Sequence, residues 1–425
     1  MNMIRKHIGS NMRQDIVWTF SLQILIMFSS FAINKILSNS LSIDDFGQYN
    51  VIKRSVQVLS FMMLAGVGIA LPRYIPIYRN SNPPQPITPL LTASFLYIIG
   101  ISLVVFGGCI AFSKQMQEII IGQQDNLTLL LIALFYAFIL ALSQYMFAYY
   151  RGIGNFKWYN GTQLAMQLAI IIPLVTLPFL TINKVFISWL LITIFIVICL
   201  FGKEILGHIS QGGALNLNSP LKPHLSTIIK YSSGRLVADF FQFSLAAFPL
   251  IYISNNQGLQ TTAYFSVGIF FVTMITPLFS FMGIILLPYI SKAIAKHETA
   301  NANRVVFNLS LLYMCVSMAI IIVLYLFTGF FTSLLFSRDY LVTTEITRIM
   351  IMSILPQAAY MLYRNTIDAV SITPYNAIIL GISLAFMVVC FMLSDTLTHY
   401  AISYLTASVL QGFLSWTTWM LIRKK

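Results

Sequence analysis

The sequence predicts an all-α, polytopic membrane protein with about twelve transmembrane helices. Hydrophobic residues make up 58% of the 425 residues, charged residues only 9%, and the mean hydropathy is +0.82. A soluble protein carries about 25% charged residues, which is far more than this chain could place on a water-facing surface. Apolar runs of roughly 20 residues, each long enough to cross a bilayer, recur along the whole length.

The apolar runs form two consecutive sets. The first set lies near residues 16–39, 46–78, 89–112, 127–150, 157–180 and 184–206. The second set lies near residues 225–253, 260–295, 304–328, 342–365, 374–394 and 397–421. The second and eighth runs are longer than a perpendicular crossing needs, so we expect them to tilt or protrude.

The polar connection from Gly207 to His224 separates the two sets of runs. We therefore predict an N-terminal lobe over residues 1–207, an inter-lobe cytoplasmic linker over 208–223 and a C-terminal lobe over 224–425. Each lobe has an even number of spans, so both would enter the membrane in the same orientation. Such halves are normally related by an axis along the membrane normal.

The charge distribution indicates the orientation of the chain. Lys and Arg number 25 against 12 Asp and Glu, and most of the basic residues, Arg364 among them, fall at span ends on one side. The positive-inside rule then predicts both termini in the cytoplasm. The basic surplus is explained by orientation and by a weak attraction for anionic membrane lipid. We expect no nucleic-acid partner.

The cysteines and histidines do not have the spacing of a metal site. Each of the four cysteines stands alone in a different apolar run, and the five histidines fall at termini or span ends. The connecting segments are too short for a soluble catalytic domain. We therefore predict no metal, no cofactor and no enzyme activity.

Four charged residues lie inside runs that are otherwise apolar: Lys53, Arg54, Arg235 and Asp239. A charge at the centre of a bilayer costs at least about 2.5–3.5 kcal/mol, so it normally faces a wet cavity and marks a transport pathway. These four residues are the strongest indication of what the protein handles.

The second span carries a polar face. Asn50, Lys53, Arg54 and Gln57 recur at helical spacing, and a thinner stripe on the first span ends at Asn34 and Lys35. Arg offers a planar fork for phosphate oxygens and Lys a point charge. We predict that these residues and Arg235 bind an anionic substrate, above all a phosphate or diphosphate. The alternative is that Lys53 and Arg54 extend outward to the lipid headgroups.

Arg235 and Asp239 are four residues apart on the seventh span. One interpretation is a structural pair, because an i,i+4 ion pair lowers the cost of two buried charges. The other is that Arg235 binds substrate while Asp239 couples transport to a cation, either by binding it or by becoming protonated and releasing Arg235.

Several motifs give the chain a family resemblance. They are Asp44-Asp-Phe-Gly-Gln-Tyr49, Gly66-Val-Gly-Ile-Ala-Leu-Pro-Arg-Tyr74, Tyr150-Arg-Gly-Ile-Gly-Asn-Phe156, Lys230-Tyr-Ser-Ser-Gly-Arg235, Ala263-Tyr-Phe-Ser266 and Leu286-Leu-Pro-Tyr-Ile-Ser291. In this order they resemble the bacterial polysaccharide or O-antigen flippases of the multidrug/oligosaccharidyl-lipid/polysaccharide exporter (MOP) superfamily. The resemblance covers essentially the whole chain.

The resemblance implies two six-helix lobes that form a V around a central cationic lumen. It implies translocation of undecaprenyl-diphosphate-linked oligosaccharide repeat units across the bacterial inner membrane by alternating access, for O-antigen, capsule or exopolysaccharide assembly. The partners it implies are that lipid-linked oligosaccharide, membrane lipid, a coupling cation (H⁺ or Na⁺), and a polysaccharide polymerase with its chain-length regulator.

Two other functions are compatible with the sequence. A drug or cation antiporter of the same superfamily would use carboxylates to attract cationic substrates, whereas the spans of this chain carry Lys53, Arg54 and Arg235 against Asp239 alone. An O-antigen polymerase-type membrane enzyme would need positioned catalytic residues in a large external loop, and the external segments here hold only scattered acids.

Overall fold

The chain is nearly all helix. The computed structural model describes residues 10–83, 85–122, 126–210, 221–276, 278–279, 299–371 and 373–423, except for the side chains of 10–17, 19–20, 23, 205–210, 233–235, 299–302 and 369. Within these ranges there is no β-strand, and the all-α prediction is confirmed. Helices are expected because lipid offers no hydrogen-bond partner to backbone groups, which must then pair within each segment.

The N-terminal part of the chain forms nine helices over the described residues. They are α1 (Ser10–Ser40), α2 (Ile43–Leu64), α3 (Val67–Arg79), α4 (Thr88–Ala111), α5 (Ser113–Ile121), α6 (Leu127–Gly152), α7 (Phe156–Ala169), α8 (Ile171–Thr176) and α9 (Ile182–Ser210).

The C-terminal part has a similar organisation. Its helices are α10 (Leu221–Gln257), α11 (Leu259–Thr273), α12 (Thr299–Leu326), α13 (Thr328–Leu335), a 3₁₀ helix (Arg338–Thr343), α14 (Thr344–Ile351), α15 (Ile354–Val370), α16 (Tyr375–Met392) and α17 (Leu397–Ile422).

The helices follow the predicted apolar runs in order. Over the described residues, seven helical stretches are long and apolar enough to cross a membrane, counting α2 and α3 as one, and the chain is a multi-pass membrane protein. The described part of the eighth run, 260–295, ends at residue 279.

Three runs that the sequence predicts as single spans are broken into two helices. The second run breaks at Ala65 and Gly66, which have left-handed φ values of 49° and 77°. The fifth breaks after Ala169 and the tenth after Ile351. Pro173 and Pro356 follow these two breaks, and the missing N–H of each removes the helical hydrogen bond to the residue four positions before it.

Residue contacts divide the chain into two compact units. Unit 1 comprises Met1–Ser40 and Ser55–Leu236, and unit 2 comprises Leu41–Arg54 and Val237–Lys425. The chain therefore passes from one unit to the other three times: between α1 and α2, inside α2, and inside α10. The predicted lobes, 1–207 and 224–425, stay a prediction, and most of the linker lies outside the described residues.

The start of α2 is held tightly within unit 2. A side chain in place of the hydrogen of Gly47 would overlap the backbone carbonyl of Leu259, at the start of α11. Next to this contact, the fully buried ring of Phe46 lies 5.3 Å from Tyr340 and 6.1 Å from Phe336. Close backbone approach and aromatic packing together position the polar residues one and two turns further along α2.

Candidate functional site

Lys53 and Arg54 are half-buried near the end of the α2 segment that belongs to unit 2. The Lys53 ammonium lies 5.4 Å from the centroid of the Tyr49 ring, one turn earlier. The Arg54 guanidinium donates a hydrogen bond from Nη2 to Oγ1 of Thr273 on α11, at 3.2 Å. No carboxylate among the described residues lies within salt-bridge distance of Lys53.

A polar network on α15 and α17 lies in the same unit. The Gln357 amide donates to the Tyr404 hydroxyl at 3.1 Å and to the Ser408 hydroxyl at 3.4 Å. Tyr404 is also within electrostatic range of the Arg54 guanidinium. Thr273 and Tyr404 thus place two hydroxyl groups near the Arg54 guanidinium, and a neutral hydroxyl acceptor can be exchanged for a substrate oxygen at little cost.

Asp239 on α10 forms an ion pair with Arg364 on α15. Nη2 of Arg364 donates to Oδ1 of Asp239 at 2.6 Å, and the two side chains are 27% and 15% exposed. Asn376 supports the pair from α16, because its amide donates to the Arg364 carbonyl at 3.0 Å and to Asp368 at 2.8 Å. The hydroxyl of the fully buried Tyr360, one turn before Arg364, has no hydrogen-bond partner among the described residues.

Sequence reasoning missed Arg364 as the partner of Asp239, because its place near a span end was assigned to membrane orientation. A signal was present in the spacing. Tyr360, Arg364 and Asp368 recur every four residues, which places them on one helical face. Gln357 is seven residues before Arg364, on the same face, so α15 contributes to both polar sites of unit 2.

The other predicted site residues are distributed over the two units. In unit 2, the Asn50 amide donates to the Phe46 carbonyl of its own helix at 2.9 Å. In unit 1, Asn34 is buried and donates to the Ser30 carbonyl at 2.8 Å, while Lys35 and Gln57 are half-buried. The side chain of Arg235 lies outside the described residues, so its predicted pairing with Asp239 stays a prediction.

The described residues contain no group of three or more His, Cys, Asp or Glu side chains that could hold a metal ion. In the described part of unit 2, the cations Lys53 and Arg54 have the chemistry to bind anionic oxygen, and Asp239 is held in an ion pair with Arg364.

Comparison with known proteins gives structural matches only. No family model and no curated protein sequence matches the chain. An inward-facing multidrug resistance MATE family transporter of the MOP superfamily superimposes with a TM-score of 0.72 at 11% identity, over 96% of this chain and 98% of the other. The chain has the fold of the MOP superfamily transporters.

Other MOP proteins match over similar lengths. The lipid II flippase MurJ has a TM-score of 0.67 at 15% identity and covers 95% of this chain and 87% of its own. A MOP superfamily transporter from Pyrococcus furiosus, described as having a binding pocket of reverse polarity, has a TM-score of 0.64 at 13% identity over 96% and 94%. At these identities the MOP likeness establishes the fold, and these neighbours are transporters rather than enzymes.

Proposed function

We propose that this protein is a flippase that moves undecaprenyl-diphosphate-linked oligosaccharide repeat units from the cytoplasmic to the periplasmic leaflet of the bacterial inner membrane. The observation that carries the proposal is the adjacent cations Lys53 and Arg54, half-buried inside a membrane span, with Arg54 donating a hydrogen bond to the neutral hydroxyl of Thr273. A cationic site suits the diphosphate of a lipid-linked sugar. The MOP fold is shared with MurJ, a protein described as a lipid II flippase.

In this proposal Arg54 and Lys53 bind the diphosphate. The guanidinium exchanges its hydrogen bond with Thr273 for a bidentate contact with phosphate oxygens, and the ammonium supplies a point charge beside it. Asn50, Gln57, Arg235, Asn34 and Lys35 contribute further polar contacts to phosphate or sugar. The polyprenyl tail stays in lipid. Binding drives alternating access only if the affinity differs between the inward and outward states.

Asp239 is the proposed coupling residue, with Arg364 as its counter-ion. Binding of H⁺ or Na⁺ to the carboxylate weakens its attraction for Arg364, which then has to find another anionic partner. The two sites communicate through α15, which carries both Gln357 and Arg364. These residues are about 10 Å apart along the helix axis, given a rise of about 1.5 Å per residue.

The test replaces Arg54 and Arg235 by Gln and, separately, by Lys in cells that lack the chromosomal copy. Loss of a charge-assisted hydrogen bond costs about 1.5–3 kcal/mol, so we expect the Gln variants to reduce surface glycan about tenfold or more. The Lys variants should retain part of the activity, since the charge remains but the planar fork is lost.

The exposed Arg338, on the 3₁₀ helix of unit 2, provides a control. R338Q removes the same charge and should leave surface glycan unchanged. Wild-type glycan from both R54Q and R235Q, at matched expression, would falsify the charge role. If the defect is in translocation, single lipid-linked repeat units will accumulate on the cytoplasmic side. Accumulation of unpolymerised units on the periplasmic side would instead indicate a polymerase-type enzyme.

A drug or cation antiporter is the second candidate. It is favoured by the Asp239 carboxylate within a membrane span and by the MATE transporters that share the fold. The discriminating measurement is uptake into proteoliposomes that contain the purified protein. An antiporter would exchange an organic cation for H⁺ or Na⁺, and D239N would abolish the exchange. The flippase would instead expose a lipid-linked diphosphate on the opposite leaflet. The polysaccharide polymerase and chain-length regulator would act only after translocation, when the repeat units are polymerised, so the proteoliposome assay does not require them.

A further inference from the structure

A second cationic cluster lies in unit 1, where the end of α6 and the start of α7 contact Lys203 and Glu204 of α9. The Lys203 ammonium is 3.3 Å from the centroid of the Trp158 ring and 5.5 Å from that of Tyr150. The Tyr150 and Trp158 rings are stacked on each other at 6.3 Å. Trp158 is 41% exposed and the Lys203 side chain is 42% exposed, so this cation–aromatic surface is open.

The carboxylate of this cluster is already occupied. Glu204 accepts hydrogen bonds from the Tyr149 and Tyr150 hydroxyls, both at 3.1 Å, and from Lys203 at 3.3 Å. Glu204 is the only carboxylate in the described contacts of the cluster, and it offsets one of the surrounding cations.

Two more basic residues leave the cluster with a positive surplus. Arg151 is exposed, donates to the Gly68 carbonyl at 2.8 Å and lies 5.5 Å from the Tyr159 ring. Lys157, next to Trp158, is exposed and makes no hydrogen bond or ion pair with the described residues. Arg151, Lys157 and Lys203, which we call the cationic rim, are three basic side chains against the single carboxylate of Glu204.

The cluster lies at a membrane boundary. Two candidate spans, Leu127–Gly152 and Ile182–Glu204, both end at it. Trp and Tyr are enriched at the headgroup level of membranes, and basic pockets between helices at that level bind anionic headgroups. In the predicted orientation this boundary is the cytoplasmic one.

An apolar stripe on α9 leads to the cluster. Leu191, Phe195 and Ile198 are 60%, 69% and 63% exposed, and their helical spacing continues to Gly202, the residue before Lys203. An exposed apolar stripe that ends in a cationic rim matches a molecule with an acyl chain and a phosphate. It does not match a free anion or a nucleic acid.

We propose that Arg151, Lys157, Trp158 and Lys203 form a binding site for the phosphate headgroup of an anionic phospholipid, with the acyl chain lying along the α9 stripe. The site is separate from Lys53, Arg54 and Asp239, and it does not depend on the transported cargo. A bound anionic phospholipid would hold unit 1 in position in the membrane.

The test measures lipid binding to the purified full-length protein in zwitterionic detergent, with phosphatidylglycerol as the probe and phosphatidylcholine as the reference. Each basic residue near an anionic lipid contributes about 1 kcal/mol, which corresponds to about fivefold in affinity. We expect K157Q/K203Q to lower the affinity for phosphatidylglycerol by roughly 25-fold. K157Q alone, which removes no contact within the protein, should lower it about fivefold.

The matched control is K114Q/K184Q. Both lysines are exposed, and they lie on α5 and at the start of α9, at the opposite ends of the spans. This variant has the same net charge as K157Q/K203Q and should bind phosphatidylglycerol like the wild type. Thermal unfolding without added lipid checks that each variant is folded.

Three results would overturn the proposal. The first is equal phosphatidylglycerol binding by K157Q and the wild type. The second is an equal loss in the K114Q/K184Q control, which would show a general charge effect. The third is displacement of the lipid by millimolar inorganic phosphate, which would show a site for the free anion.

Discussion

At the scale of single residues, the most informative contact joins Asp239 to Arg364. Neither side chain is more than 27% exposed, so both charges have lost most of their contact with solvent. The attraction within such a pair only about balances the cost of desolvation, but removing one member leaves the other uncompensated. The pair is therefore sensitive to single substitutions and tolerant of the removal of both charges.

This asymmetry predicts the behaviour of three variants. D239N and R364M should each destabilise the protein by about 3–5 kcal/mol, whereas the double variant D239N/R364M should recover most of the loss. Thermal unfolding in detergent measures the difference. Glu345, whose side chain is 83% exposed in its pair with Arg348, is the control, since E345Q should change stability by no more than about 1 kcal/mol. A double variant as unstable as either single one would contradict the paired role.

At the scale of secondary-structure elements, the position of α2 depends on close contacts between its backbone and neighbouring helices. Gly47 allows α2 to touch the start of α11, and Gly66 allows it to end in a left-handed turn. At that turn the Ser232 hydroxyl of α10 donates to the Gly66 carbonyl at 3.2 Å. These two glycines lie at opposite ends of the helix that carries Lys53 and Arg54.

Substitution of Gly47 by Ala tests the packing of α2. The new methyl group would overlap the Leu259 carbonyl, and a backbone atom cannot rotate away, so we expect a loss of about 1–3 kcal/mol. Thermal unfolding is again the measurement. G100A in the middle of α4 is the control, because the space around that position is open and Ala favours a helix over Gly. Equal melting temperatures for G47A and the wild type would exclude the close contact.

The contact between α3 and α10 predicts a pH dependence. The Tyr78 hydroxyl lies 2.9 Å from Nδ1 of His224, and burial lowers the pKa of His224 below its ordinary value. The unfolded chain then binds a proton more readily than the folded one. The contribution of this contact to the free energy of unfolding is therefore fully present above a pH of about 6.5 and is lost as the pH falls below that value.

We therefore expect the melting temperature to fall between pH 7.5 and 5.5, and to fall less in H224Q, whose side chain does not titrate. H399Q, at an exposed position at the start of α17, serves as the control and should keep the wild-type pH dependence. If H224Q and the wild type lose stability in parallel, protonation of His224 has no part in the acid sensitivity.

At the scale of the whole molecule, a MOP fold is preserved at 11–15% identity to the transporters that share it. Such low identity indicates that the architecture depends on the pattern of apolar spans more than on the identity of individual residues. The flippase and antiporter proposals differ in whether the cations on α2 or the carboxylate on α10 contact that cargo. The surface-glycan assay in cells and the proteoliposome uptake assay distinguish the two proposals.

The number and order of the apolar runs could be predicted from the sequence, because a span requires only a local stretch of apolar residues as long as the bilayer is thick. The same local reasoning placed Lys53, Arg54 and Asp239 inside membrane spans. It could not predict the helix break at Ala65, where a non-glycine residue takes a left-handed conformation.

Only the tertiary structure decided which charged residues meet. Asp239 pairs with Arg364, which is 125 residues away in the chain and lies on another helix. A membrane interior requires each charge to find a counter-charge or a wet surface, but it does not specify which helix supplies it. That choice depends on how α10, α15 and α16 pack, which no local pattern in the sequence records.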